Sequence, residues 1–559
     1  MNRHILLFIA VLAAANVFAT PRTQKQKLDI AAKVLMGNSS SKGMRMSNNA
    51  ELRTLSENEA LSVVGNENLG FVVIANDDSR NPVLGYSDEC FSQDMPDGLK
   101  WYLQAATSAL LCPVDKSEKS VGAREADNFP DELPPMVTTK WNQSAPYNNL
   151  VPLNAKGNRY PAGCVAIALS QIMKYHSFPA RGTGSNSYHF VPTDGANERE
   201  ITEDFSATEY KWDLMRDSYS PHSYTDEEAD AVSTLVYHVG VACAMQYNNS
   251  GSGALSNMAC SAASNYFSYN PYMHFYYRDL YNSDEWMNMV KYELLNHGPL
   301  FYSGVDLNTQ SGHAFVIDGY DSDGLVHVNW GWGGNSNGNF DISLLNVQGD
   351  SYSSQQQMFS LVLPDEPVAY ASSLGSVNSI AITFYGDKTL RASFTGFIYN
   401  FSNKPFAGKV AMIALDEDGN QIVLKESSDL TMSFLTGNSV QLRSVNITDL
   451  PDGTYRFFIG SKDTHDTLWQ PVRSFDENDF SCIVTKKGLT IDTLKVNDYE
   501  WTAIDDVLAR KDKAETAQVY SLDGKLVMSS PSSTFSVDKL PSKGVFVVKK
   551  GDETVKVLR

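Results

Sequence analysis

Cys164 and His313 are the two side chains in this 559-residue sequence whose types and neighbours suit nucleophilic catalysis. Cys164 opens the run Cys164-Val165-Ala166-Ile167-Ala168-Leu169-Ser170-Gln171-Ile172-Met173-Lys174-Tyr175-His176. Val165, Ala168, Leu169, Ile172 and Met173 fall at i, i+3, i+4, i+7 and i+8, the spacing of a helix with one buried face. Pro161 and Gly163 interrupt structure before the run and Pro179 ends it, so Cys164 is predicted in the first helical turn. There the unpaired N–H groups and the positive end of the helix dipole favour thiolate over thiol. A small apolar residue packed at a helix start would give the same local pattern.

His313 lies in Ser311-Gly312-His313-Ala314-Phe315-Val316-Ile317-Asp318-Gly319-Tyr320, followed by Asp321-Ser322-Asp323-Gly324 and by Leu325-Val326-His327-Val328-Asn329-Trp330-Gly331-Trp332-Gly333-Gly334. Two apolar runs around Asp-Gly predict a β-hairpin. On its second strand Val326, Val328 and Trp330 share one face, and His327 and Asn329 the other. An Asn beside a catalytic His accepts the ring N–H and orients the imidazole without adding a full charge, which suits a thiolate–imidazolium pair. Asn329 is the candidate for that role, with Trp330 and Trp332 shielding the bond. A core hairpin with incidental His and Asn is the alternative from this segment alone.

The elements that position these residues belong to a chain too long for one core. Residues 1–19 read as a secretory signal peptide, with a basic start at Arg3, an apolar run Ile5 to Val17 and the exit Val17-Phe18-Ala19. Residues 20–120 read as a small mixed α+β unit, with Ile30, Val34 and Leu35 at helical spacing and Phe71 to Ile74 and Val83 to Tyr86 as strands. The polar stretch Asp115 to Asp131 is expected as an exposed, cleavable linker. Residues 121–365 hold every motif above and form an α+β catalytic domain. After it, alternating strands at Leu390 to Tyr399, Gly408 to Leu415 and Thr454 to Gly460 predict an all-β sandwich over 366–487. Residues 488–559 read as a small all-β C-terminal domain.

The net charge of −20 argues against nucleic acid as a partner. No segment after the leader is long and apolar enough to be an integral membrane span. Six cysteines, Cys90, Cys112, Cys164, Cys243, Cys260 and Cys482, without a CxxC pair, are too sparse for a disulfide scaffold or a zinc site. No HExxH occurs, and the acidic turns near Asp321 and Asp416 lack the later Glu of an EF-hand, so neither a metal nor any other cofactor is expected. Gly334-Asn335-Ser336-Asn337-Gly338 fits the nucleophile motif of serine hydrolases, but Gly and Asn crowd both sides where a strand and a helix are required.

A cysteine at a helix start, with His and Asn roughly 150 residues downstream in strands, is the broad arrangement of papain-like peptidases. More narrowly, Ala162-Gly163-Cys164-Val165-Ala166, Gln171 to His176, Gly312 to Gly319 and His327 to Gly334 resemble streptopain-family peptidases, interpain-type enzymes among them. The likeness runs from about Leu69 through Pro364 and includes Trp141-Asn142-Gln143. It implies a papain-like catalytic domain, a Cys164–His313 dyad, and a prodomain that acts as an intramolecular inhibitor until proteolysis removes it. Protein or peptide substrates are the partners, with a bulky apolar residue preferred two positions before the scissile bond. The family's substrate loop matches Tyr247 to Gly253, which makes Ser252 and Gly253 substrate-binding candidates. Gly312 matches a position whose backbone meets substrate. The oxyanion hole is expected to use the Cys164 N–H and a second donor, for which Asn158 is the candidate.

The sandwich resembles immunoglobulin-like modules. The last seventy or so residues resemble the sorting domain of proteins exported by the type IX system of Bacteroidota, which would make that machinery a partner and the cell surface or medium the destination. Two rivals stay open: a surface binding protein with a degenerate protease domain, and a cysteine-dependent amidase acting on cell-wall peptides.

Overall fold

The computed structural model describes residues 20–41, 51–66, 69–92, 94–111, 129–281, 283–306, 311–343, 356–366, 374–376, 380–416, 419–464, 469–474, 481–495, 516–521, 526–531, 545–550 and 553–558. The signal peptide expected at 1–19 and nearly all of the expected linker lie outside them. The chain divides into two compact units, one ending at Ser92 and the other beginning at Gln93.

In the first unit, helix α1 (Gln24–Ser41) is followed by strands β1 (Arg53–Glu57), β2 (Leu61–Asn66), β3 (Gly70–Ala75) and β4 (Val83–Ser87). The four strands pair antiparallel in chain order. Ala31 and Leu35 of α1 close over Val64, Val72 and Ile74, so the helical spacing predicted from Ile30 to Leu35 does supply a core face.

The second unit opens with α2 (Asp97–Leu111), a segment the sequence placed in the prodomain. Leu99, Trp101 and Tyr102 of α2 are buried, and α2 packs on the sheet that carries His313. Next come α3 (Cys164–His176), the small hairpin β5 (Ser185–Phe190) and β6 (Arg199–Asp204), α4 (Asp226–Ala242), α5 (Ser256–Phe267), β7 (Tyr276–Tyr277) and α6 (Ser283–His297). Strands β8 (Leu300–Asp306), β9 (Ser311–Tyr320), β10 (Val326–Asn329), β11 (Gly338–Phe340) and β12 (Gln357–Ser360) complete the domain. They form an antiparallel sheet in the order β11-β10-β9-β8-β12-β7.

Helix α3 is the centre of the main core: Val165 to Met173 are all buried, packed against α4, α5, β8 and β9. Full burial of a side chain such as Leu169 or Ile172 contributes about 1.5–3 kcal/mol. The helix stops where Ser177 takes a left-handed conformation (φ 49°), two residues before Pro179. Helix α4 starts with a reciprocal cap, in which Thr225 Oγ1 accepts from the Glu228 N–H at 3.2 Å and Glu228 Oε2 accepts from the Thr225 N–H at 2.8 Å.

Beyond residue 373 the described chain is all β. One sheet holds Leu374–Ser376, Thr383–Tyr385, Arg391–Asn400, Gly437–Asn446 and Arg473–Ser474. The other holds Phe406–Leu415, Gln421–Glu426, Leu430–Met432, Gly453–Asp463, Gln470–Pro471, Ser481–Lys487 and Thr490–Lys495. Phe394 and Leu442 of one and Met412 and Phe457 of the other share a single buried cluster, as the alternating pattern requires. This β layer is fastened to the preceding α+β region: Arg473 donates to Glu285 at 3.0 and 3.1 Å, and Tyr277 meets Phe401 with ring centroids 4.9 Å apart. At the end of the chain, Leu526–Pro531, Thr516–Ser521, Val545–Lys550 and Glu553–Leu558 pair antiparallel in that spatial order. Among the described residues no helix is long and apolar enough to cross a membrane.

Candidate active site

Cys164 is the first residue of α3, and the bend that delivers it depends on glycine. Gly163 has φ 96°, and a Cβ there would lie 2.8 Å from Met245 Sδ and 2.9 Å from the Ser252 carbonyl oxygen. A side chain at this position is therefore excluded by backbone conformation and by space together. The backbone N–H groups of Ala314, Val165 and Cys164 itself favour the charged form of the sulfur. Cys164 packs against the core cluster that Ala314 joins, and Ala314 follows His313 directly at the mouth of β9. His313 is half-buried and sits opposite Gly304 in the β8–β9 ladder.

The thiol is not the activated group that the helix start alone predicts. Burial pushes its pKa up, the three N–H groups pull it down, and the Asp97 carboxylate of α2 pushes it up again, with a net rise. Desolvation of the charged form outweighs the helix end while α2 is in place. By contrast Cys243, pushed up to about 12 by burial alone, has no such opposing groups.

Strand alternation separates the other candidates. Ala314 and Val316 face α3 and join its core, whereas His313 and Phe315 point to the opposite face. Trp330 is on the His313 side, with its ring 4.9 Å from Phe315 and its Nε1 donating to the Ser336 carbonyl at 2.9 Å. Asn329 is on the α3 side: the ladder pairs it with Val316, and it is 1% exposed. Its Nδ2 donates to the Thr139 carbonyl at 2.8 Å and to Gln171 Oε1 at 3.3 Å. Its Oδ1 accepts from Gln171 Nε2 at 3.4 Å and from the Gly331 N–H at 3.1 Å. These bonds use the whole amide, so Asn329 does not orient His313 here, and that expectation is corrected. The cause is a bulge between His327 and Val328, where β9 holds one extra residue and shifts Asn329 from Ile317 to Val316.

Gln171, which the sequence offered only as part of a motif, emerges as the hub. Fully buried, it takes Thr139 Oγ1 at 2.9 Å and the Trp141 N–H at 3.3 Å in addition to Asn329. Gln171 lies off the apolar stripe of the predicted helix, so local spacing gave no signal for it. The adjoining stretch braces both sides of the nucleophile: the Gln143 carbonyl accepts from the Ala162 N–H at 2.9 Å, and the Trp141 carbonyl from the Gly333 N–H at 2.8 Å. Asn158 does not belong to this arrangement. It is exposed in a turn with Asn154, its N–H donating to Asn154 Oδ1 at 2.9 Å and its carbonyl accepting from the Asn154 N–H at 2.8 Å.

The substrate loop lies against the same bend. Ser252 is buried, with Oγ donating to the Pro161 carbonyl at 2.6 Å, so its side chain fixes the loop rather than facing a ligand. Gly253 is exposed and exchanges backbone bonds with Gln246 at 2.9 and 3.1 Å; a Cβ there would meet nothing within 4 Å. Gly312 is exposed at the mouth of β9. Ser336 of the serine-hydrolase pattern is 1% exposed. Among the described residues no group of three or more His, Cys, Asp or Glu could hold a metal ion.

Over this site lies α2. A Cβ on Gly98 would fall 2.6 Å from Trp330 Cε3, and one on Gly304 would fall 2.1 Å from Trp101 Cζ2. Tyr102 packs edge-on to Phe340 and donates to the Asp341 carbonyl at 3.2 Å. A helix-start cysteine meeting a histidine-bearing strand, covered by a helix from the expected prodomain, suits a cysteine-peptidase precursor. Comparison with known proteins agrees: residues 141–340 match the Peptidase C10 family and residues 12–110 match the Spi protease inhibitor family. The chain is 30% identical to streptopain of Streptococcus pyogenes over 292 residues, covering 50% of this chain and 72% of streptopain. It is 33% identical over 405 residues to the thiol protease/hemagglutinin PrtT of Porphyromonas gingivalis, covering 68% of this chain but 45% of PrtT, so it spans under half of that relative. A solved fragment of prointerpain A from Prevotella intermedia, carrying a cysteine-to-alanine mutation, superposes with a TM-score of 0.51 at 38% identity, over 56% of this chain and 99% of the fragment. The chain belongs to the Peptidase C10 family.

Proposed function

We propose that this chain is the precursor of a secreted or cell-surface cysteine endopeptidase, with Cys164 as nucleophile and His313 as its acid and base. The observation that carries the reading is the packing of α3 on β9, which sets Cys164 against the core cluster that Ala314, the neighbour of His313, joins. Cys164 thiolate adds to the peptide carbonyl carbon, and His313 imidazolium gives its proton to the departing amine as the C–N bond breaks. The resulting thioester is opened by a water that His313 deprotonates, which regenerates the thiol. The Cys164 N–H at the start of α3 serves as one oxyanion donor. Trp330 walls the His313 side. The Gly312 and Ser252–Gly253 backbones take the substrate main chain.

In this reading residues 20–120 are the inhibitory prodomain, 121–365 the peptidase, 366–487 an immunoglobulin-like sandwich and 488–559 a sorting domain for type IX export. Bound α2 denies substrate the cleft and holds the thiol protonated, so latency and thiol chemistry share one cause.

A reactive-thiol probe on the processed protein tests the assignment. Cys164 is expected to be labelled far ahead of the other cysteines, with loss of casein hydrolysis, and Cys164→Ala is expected to be inert. Casein hydrolysis by Cys164→Ala would end the proposal, and activity on muropeptides without activity on casein would replace it with a cell-wall amidase.

A further inference from the structure

In the precursor a side chain already occupies the floor beside His313. The Trp101 indole lies where a Gly304 side chain would be, with ring atoms at 2.1 to 2.7 Å from that Cβ position, and Gly304 is the ladder partner of His313. Phe315, two residues along on the same face, meets the indole with ring centroids 5.9 Å apart. The seat is apolar. Trp101 Nε1 is buried in it with no hydrogen-bond partner among the described residues, so the indole is held by shape against the cost of an unmet donor. An all-carbon side chain would fill the same place without that cost.

The two faces of β8 and β9 fix which part of a substrate reaches the seat. Downstream of the substrate loop, Ser256 is bonded to Ser303 at 2.7 Å, and Ser303 pairs with Ala314 on the face toward α3. The acyl side of a substrate, lying along Ser252 and Gly253, therefore approaches from that face. Gly304, His313, Phe315 and Trp330 line the other face, where the leaving amine receives its proton. We propose that, once the prodomain is removed, the Gly304 seat is a specificity subsite for an aromatic or branched apolar side chain at the first or second position after the scissile bond. Trp101 holds that place in the precursor. The inference rests on the Cys164–His313 reading and adds a substrate class to it.

Internally quenched peptides with a constant acyl side, and Phe, Leu, Trp, Ala or Asp at each of the two positions after the scissile bond, test it on the processed enzyme. At one position Phe and Leu are expected to raise kcat/KM by about tenfold over Ala, the scale of discrimination in a hydrophobic pocket, with Trp below Phe. Gly304→Val fills the seat and should bring the Phe-to-Ala ratio close to unity. A flat series in the wild-type enzyme, or an unchanged ratio in a folded Gly304→Val enzyme, overturns the subsite; loss of all turnover in the wild-type enzyme would instead strike the catalytic reading. Should Gly304→Val fail to fold, the precursor gives a second measurement. Trp101→Phe should keep Cys164 as slow to alkylate as in the unmodified precursor, and Trp101→Gln should make it several times faster. Equal rates in the two variants would also refute an apolar seat.

Discussion

Cys164 shows how a residue with the right neighbours can be chemically quiet. Its helix start and three N–H donors favour thiolate, but enclosure and the Asp97 carboxylate win in the precursor. Asn329 carries the opposite lesson, because its type and spacing suited a catalytic role and its bonds serve the core. Asn329→Ala would leave Gln171 and the Thr139 carbonyl short of partners in a buried site, at a cost of about 2–3 kcal/mol. Urea denaturation should show that loss, while the pH midpoint of Cys164 alkylation in the precursor stays where it is. A shifted midpoint would mean that Asn329 does act on the dyad.

At the scale of elements, the proposed latency rests on α2. Its first turn passes so close to Trp330 that only glycine fits at position 98. Gly98→Val is expected to lift the start of α2, lower the melting temperature of the precursor and make Cys164 several times faster to alkylate before any cleavage. A variant as latent as the parent would show that latency resides elsewhere. The sequence identified this segment as part of a prodomain, yet α2 is compact with the peptidase, since Leu99, Trp101 and Tyr102 find their burial there. Helix α3 and the β9–β10 hairpin, its bulge apart, were legible, because periodicity, a proline stop and an Asp-Gly turn are local signals.

Across the whole molecule, a buried histidine ties stability to pH. His238 of α4 is 3% exposed, its Nδ1 3.0 Å from Tyr210 Oη, and burial holds its pKa down to about 4 against an ordinary 6.5. Unfolded chain therefore binds a proton that folded chain refuses between those values, and stability falls as pH drops from 6.5 toward 4. His238 alone should account for about 3 kcal/mol over that interval at 1.36 kcal/mol per unit. Urea midpoints at pH 7 and 4.5 measure the slope; burial holds His176 of α3 down to about 4 as well, so His238→Gln should reduce the slope by about half, and an unchanged slope would exclude this histidine. The sequence by itself determined the helix that begins at Cys164, the hairpin bearing His313 and the β-rich end of the chain. Each of these is written in spacing along the chain. Tertiary structure alone decided which face Asn329 takes, which unit holds α2 and which way the Cys164 thiol is pushed. A single bulged residue, a helix finding its burial far along the chain and a carboxylate brought from 67 positions away are long-range events, and local periodicity carries no record of them.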